Sequence, residues 1–100
     1  MVVTVFRSRP KSDVDEPELE KLGMRMYELA SQMPGFISYS EYTSADGENV
    51  SIVEFESHEA LRAWREHPEH RVAQEAGRQR YFASYRITVC DSVRDYSFPV

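Results

Sequence analysis

Two runs of alternating side chains flank a short turn in the middle of the chain, and this restricts the fold more than any other feature. Phe36 to Thr43 reads FISYSEYT and Val50 to Glu56 reads VSIVEFE. Between them stands Ala45-Asp46-Gly47-Glu48. Its Asp-Gly pair admits the positive φ that a tight hairpin turn requires. The expectation is an antiparallel β-hairpin. A lone hairpin is marginal in water, so the flanking segments must extend it and cover one of its faces.

Upstream, Val2 to Arg9 (VVTVFRSR) is rich in β-branched residues and alternates, so it reads as a strand stopped by Pro10. Asp15 stands three residues before Glu18, with Pro17 in the first turn, a helix start resembling a capping box. Leu19, Leu22, Met26, Leu29, Ala30 and Met33 follow at a period near that of a helix. The spacing predicts one amphipathic helix over about Glu16 to Met33, ended by Pro34-Gly35. Downstream, Ser57 caps a second helix whose apolar side is Ala60, Leu61 and Trp64, interrupted at His67-Pro68. A further helix then runs to about Tyr81, with Gly77 inside it marking a place where something packs closely. Ala83 to Ser92 is the last strand, and a tail with two aromatics, Val93 to Val100, ends the chain. The order βαββαβ implies a single α+β domain over residues 1–100: a ferredoxin-like fold with a four-stranded antiparallel sheet and helices on one face.

The other face then needs a cover. By alternation Val3 and Val5 oppose Val2 and Phe6, Ile37 and Tyr39 oppose Phe36 and Tyr42, and Val50 and Ile52 oppose Val53 and Phe55. A bare sheet face of that make-up exceeds the few hundred Å² of contiguous apolar surface usual on monomers. The expected partner is a second copy meeting it face to face as a homodimer. Twelve Lys+Arg against seventeen Asp+Glu, a net charge of −5, argues against a nucleic-acid backbone binder. A single cysteine, Cys90, allows no internal disulfide, and the N-terminal apolar stretch is too short for a membrane span or a signal peptide. The expected partners therefore include no nucleic acid and no membrane, and the expected location is cytoplasmic.

Phe55 to Val89 is the most distinctive stretch: FESHEALRAWREHPEHRVAQEAGRQRYFASYRITV. With Met33-Pro34-Gly35-Phe36 after the first helix, it resembles the antibiotic biosynthesis monooxygenase (ABM) domain of the dimeric α+β barrel superfamily. The resemblance rests on the PGF turn, the Ser cap before AL-x-AW, HPEHR, AQ-x-x-GR, and the closing strand after an aromatic pair. It implies a dimeric α/β barrel, with a ligand cavity between helices and sheet in each protomer. It also implies an oxygenase of aromatic or quinol-type small molecules that needs no organic cofactor. Haem-degrading members are a weaker match. Trp64 corresponds to their tryptophan, but VVTVFRSR has no Asn and Gln74 stands where their histidine would.

Oxygenation without metal or flavin requires a base near neutrality, a donor for a developing oxyanion, and a dry apolar pocket. Histidine is the natural base, and His70 or His67 is the candidate. Trp64 offers a wall and an N–H donor, Tyr81 and Tyr85 offer hydroxyls, and Phe6 offers apolar area, so these four are the candidate substrate contacts. His67 and His70 lack a third ligand nearby, so no metal site is expected. The competing reading is a dimer that binds a small aromatic molecule without transforming it.

Overall fold

The hairpin forms where the turn chemistry places it. In the computed structural model of the chain, which describes residues 1–99, β1 (Val2–Pro10) comes first, and β2 (Phe36–Thr43) and β3 (Asn49–Phe55) pair antiparallel. Gly47 takes a φ of 91° at the turn. The last strand is β4 (Phe82–Asp91), and the antiparallel sheet runs β2-β3-β1-β4. Helices α1 (Glu16–Gln32), α2 (His58–Arg65) and α3 (Pro68–Ala76) complete the chain. This is the ferredoxin-like order expected from the sequence. After β4 the tail forms neither helix nor strand as far as Pro99, and Val100 lies outside the described residues.

The caps follow the sequence, with one departure. Asp15 accepts from the Glu18 N–H at 3.0 Å and Ser57 from the Ala60 N–H at 3.1 Å. The capping box at α1 stays half-closed, because the Glu18 carboxylate turns instead to the Tyr81 hydroxyl (2.6 Å) and Arg80 (2.9 Å). A charge-assisted tie across the fold outweighs a local one. β1 stops at the expected place but includes Pro10 as its last residue, paired with Phe82 after a register shift at Arg9. The helix expected to run to Tyr81 gives way at Gly77 to a π-helical turn, Gly77–Tyr81. A Cβ on Gly77 would stand 2.9 Å from the Phe82 ring, the close approach that this glycine announced.

The core lies between helices and sheet: Val2, Ala30, Val53, Phe55, Leu61 and Trp64, with Phe36 and Tyr39 packed against them. A bulge between Phe36 and Ser38 corrects the expected faces of β2. Phe36 packs edge-on against Phe55, with centroids 5.8 Å apart. Tyr39 pairs with Val53 on the helix side, while Ser38, Ser40 and Tyr42 turn outward opposite Glu54, Ile52 and Val50. One extra residue inverts the alternation, so Phe36 and Tyr39 both reach the helix side while Tyr42 stays outside.

Two sequence motifs meet in space. Gly35 of the PGF turn has φ +83°, and a Cβ there would lie 2.7 Å from the Cβ of Ala60 in AL-x-AW. The Glu56 N–H donates to the Gly35 carbonyl at 2.8 Å. Glycine in one motif and alanine in the other let α2 dock against the turn, which fixes where Trp64 points.

Candidate functional site

The helices cover the sheet unevenly. Over β1 and β4 they stand back, and a cleft of about 1310 Å³ opens between α1, α3 and the inner sheet face. Its floor includes Thr4 and Phe6 of β1, Val53 of β3, and Tyr85, Ile87 and Val89 of β4. Ties hold the roof: Arg25 on α1 donates to Glu69 on α3 at 2.6 and 2.9 Å, and Glu18 receives Arg80 and Tyr81 from the π turn.

His70 stands in the wall. Pro68 starts α3 two residues before it, and α3 lays the imidazole on the Trp64 ring, with centroids 3.9 Å apart and planes 23° apart. Its Nδ1 lies 3.1 Å from the Trp64 carbonyl. A carbonyl only accepts, so Nδ1 carries the proton and Nε2 holds the free lone pair. Burial pushes the His70 pKa below its usual 6.5; the Trp64 carbonyl pulls the other way, and charge on His67 and Arg65 adds to the lowering. The result at pH 7 is a neutral imidazole in a single tautomer, with Nε2 making no hydrogen bond among the described residues.

Trp64 belongs to both core and cleft. It stacks on Phe55 at 5.7 Å on the side of the core, and its exposure is 6%. Its Nε1 is buried with no hydrogen-bond partner among the described residues, and so is the Oγ1 of Thr4. Leaving such a group unpaired costs about 1–3 kcal/mol, and both residues line the cleft. Tyr39, edge-on to Trp64 at 6.3 Å, has its pKa pushed up to about 12 by burial first and by Glu41 second. It therefore stays a proton-bearing hydroxyl.

Of the residues singled out in the sequence, His70, Trp64, Phe6 and Tyr85 line this one cleft. Phe6 and Tyr85 touch, with ring centroids 5.6 Å apart. His67 and Tyr81 are elsewhere. His67 is the N-cap of α3, its Nδ1 accepting from the Glu69 N–H at 3.1 Å, so its lone pair serves the helix start. Tyr81 is the last residue of the π turn, buried with its hydroxyl committed to Glu18. Thr4, Tyr39 and Gln74 join the wall without having been singled out as ligand contacts. Thr4 alone left a trace, as a hydroxyl between Val2 and Phe6 on the inner line of β1. Among the described residues no three His, Cys, Asp or Glu side chains gather as metal ligands, and no helix is long and apolar enough to cross a membrane.

Comparison with known proteins agrees with this geometry. The family model described as antibiotic biosynthesis monooxygenase matches residues 1–76. The uncharacterised protein YqjZ of Bacillus subtilis is 35% identical over 74 residues, which are 74% of this chain and 65% of that protein. The match thus spans less than two-thirds of the relative's length. Among solved structures, Rv0793 of Mycobacterium tuberculosis superposes with a TM-score of 0.85 at 26% identity, covering 96% of this chain and 98% of its own. SnoaB of Streptomyces nogalater, a cofactor-independent oxygenase, gives a TM-score of 0.78 at 19% identity, with 99% and 97% covered, a likeness of fold.

Proposed function

The chain belongs to the antibiotic biosynthesis monooxygenase family, and from that premise we propose that it is a monooxygenase of a phenolic or quinol-type aromatic molecule bound in the cleft, with His70 as base and no organic cofactor. One observation carries the reading. A buried imidazole of fixed tautomer stacks on an indole whose N–H has no partner, and both stand in the wall of the same cleft.

The chemistry follows from those groups. His70 Nε2 takes a proton from the substrate, for an anthrone the acidic methylene C–H across the central ring from the carbonyl. Negative charge collects on the ring oxygen, where the Tyr39 hydroxyl and, once the wall shifts to open them, the Trp64 N–H or the Thr4 hydroxyl would donate to it. The electron-rich anion passes an electron to dioxygen, and the two radicals join in a C–O bond to give a peroxide anion. His70 returns its proton to that anion. Loss of water from the hydroperoxide leaves the quinone: one anthrone and one O₂ become one anthraquinone and one H₂O. Phe6, Tyr85 and Val53 supply an apolar floor that keeps water from quenching the anion.

The same reading takes residues 1–100 as one domain and places it in a homodimer. Tyr85, Ile87 and Val89 of β4 are 40%, 53% and 42% exposed although they lie on the inner face, and Tyr42 is 58% exposed on the outer one. A second copy facing this sheet would cover the outer residues. Sedimentation at micromolar concentration is expected to show twice the subunit mass. Oxygen uptake with anthrone or hydroquinone substrates is expected from the colourless protein and is expected to be lost in His70→Ala. A folded protein that binds these compounds without consuming oxygen would overturn the enzymatic reading in favour of a binding module.

A further inference from the structure

A second groove of about 590 Å³ lies beside the cleft, where α2, α3 and the π turn converge. Four arginines line it, Arg62, Arg65, Arg71 and Arg78, against two glutamates, Glu66 and Glu75. This local excess of positive charge runs against a chain whose net charge is −5. Arg7, Arg9, Arg25 and Arg80 all pair with carboxylates, whereas Arg62, Arg65 and Arg71 form no ion pair among the described residues. Arg78 meets Glu75 at 2.6 Å, but the two side chains are 50% and 55% exposed. Such a surface pair contributes about 0–1 kcal/mol and exchanges readily.

Arg65, Gln74 and Arg78 line the groove and the cleft at once. The cleft, which Glu16, Glu20, Glu28 and Glu41 also line, therefore has one guanidinium-bearing stretch of wall where an anion is favoured. Gln74 stands four residues after His70 on α3, one helical turn or about 5.4 Å further along the same face. A ligand whose reacting oxygen sits by His70 would extend along α3 toward Gln74, which shares both linings with Arg65 and Arg78.

We propose that the ligand of the cleft is an aromatic acid, its ionised carboxylate held by Arg65 and Arg78 at the α2–α3 end. The inference rests on the cleft's being the aromatic site. A guanidinium presents two parallel N–H donors that match the two oxygens of a carboxylate. Glu66 and Glu75 nearby suit a guest of single rather than double negative charge. The acid would fix which end of a flat ring system faces His70, a choice that Phe6, Tyr85 and Val53 cannot make by shape alone.

Trp64 is the single tryptophan of the chain, so its fluorescence reports occupancy of the cleft. The test compares anthraquinone-2-carboxylate with its uncharged analogue anthraquinone-2-carboxamide as quenchers, in the full-length protein at physiological salt. The wild type is expected to bind the carboxylate about tenfold tighter, the ratio one charge-assisted pair supports. In R65Q/R78Q that preference is expected to vanish, with carboxamide affinity unchanged. R65Q and R78Q singly are expected to lose part of it, so the comparison stands even if the double variant folds poorly. Arg94 in the exposed tail after β4 is the control: R94Q removes one positive charge away from the cleft and is expected to leave the preference intact. Equal affinity of both probes for the wild type, or a preference that survives R65Q/R78Q, overturns the acid site and leaves the proposed oxygenase standing. No quenching by either probe removes the cleft as an aromatic site, and both readings with it.

Discussion

Trp64→Phe separates the structural from the chemical role of the residue at the junction of core and cleft. The indole is 6% exposed and stacked between Phe55 and His70. Replacing it with a phenyl ring removes about 40 Å³ of packed volume, which at about 24 cal/mol per Å³ costs about 1 kcal/mol. The lost apolar transfer adds about another 1 kcal/mol. Against this, the substitution deletes an N–H that is buried with no partner, relieving about 1–3 kcal/mol. The two sides nearly cancel, so the unfolding free energy is expected to change by no more than about 1 kcal/mol in either direction. The His70 Nδ1 bond survives, because it goes to the backbone carbonyl of residue 64. Function should respond differently. Losing one oxyanion donor is expected to lower turnover about 10²-fold. Urea unfolding followed by circular dichroism gives the first quantity, and oxygen uptake with an anthrone gives the second. A loss of about 3 kcal/mol or more with turnover unchanged would refute the reasoning, since the N–H would then serve the fold and not the ligand.

Other perturbations test other joints. Gly35→Ala forces a side chain onto a φ of +83° and places its Cβ 2.7 Å from that of Ala60; an expected loss of about 2–4 kcal/mol, partly recovered by Ala60→Gly in the same background, is read by thermal unfolding, and absence of coupling in that cycle would show that the two motifs do not meet. Burial holds the His70 pKa below 6.5, so the acid limb of kcat/KM is expected below pH 6.5 and a limb centred above 7 would exclude His70 as base. The same shift has a stability sign. The unfolded chain takes up this proton more readily than the folded one, so stability falls as pH drops below 6.5 towards the folded pKa, and His70→Asn should remove that part of the slope. Tyr81→Phe breaks the 2.6 Å bond to Glu18 at an expected cost of about 1–2 kcal/mol in urea unfolding, while ligand affinity by Trp64 quenching stays unchanged; a large affinity loss would return Tyr81 to the cleft.

The architecture was legible along the chain because its determinants are local. Asp46-Gly47 specifies the hairpin, the Leu19-to-Met33 stripe specifies α1, and Ser57 and Pro68 mark where α2 and α3 begin. Each depends on neighbours within a few residues, and the order of elements then leaves few sheet topologies. Site residues were legible only as residue types. His67 and His70 are equivalent in HPEHR until α3 acquires its cap: the residue before Pro68 becomes N-cap and its imidazole turns to the Glu69 N–H, while His70, three residues on, faces Trp64. Tyr81 and Tyr85 are alike in sequence until a π turn buries one against Glu18 and β4 presents the other to the cleft. One bulge at β2 exchanges Phe36 between faces. The linear pattern thus determines which elements form and in what order. Which side chains share a cavity, and which lone pair or N–H remains free in it, depends on helix rotation and strand register, and these are decided only when distant segments pack and compete for the same partners.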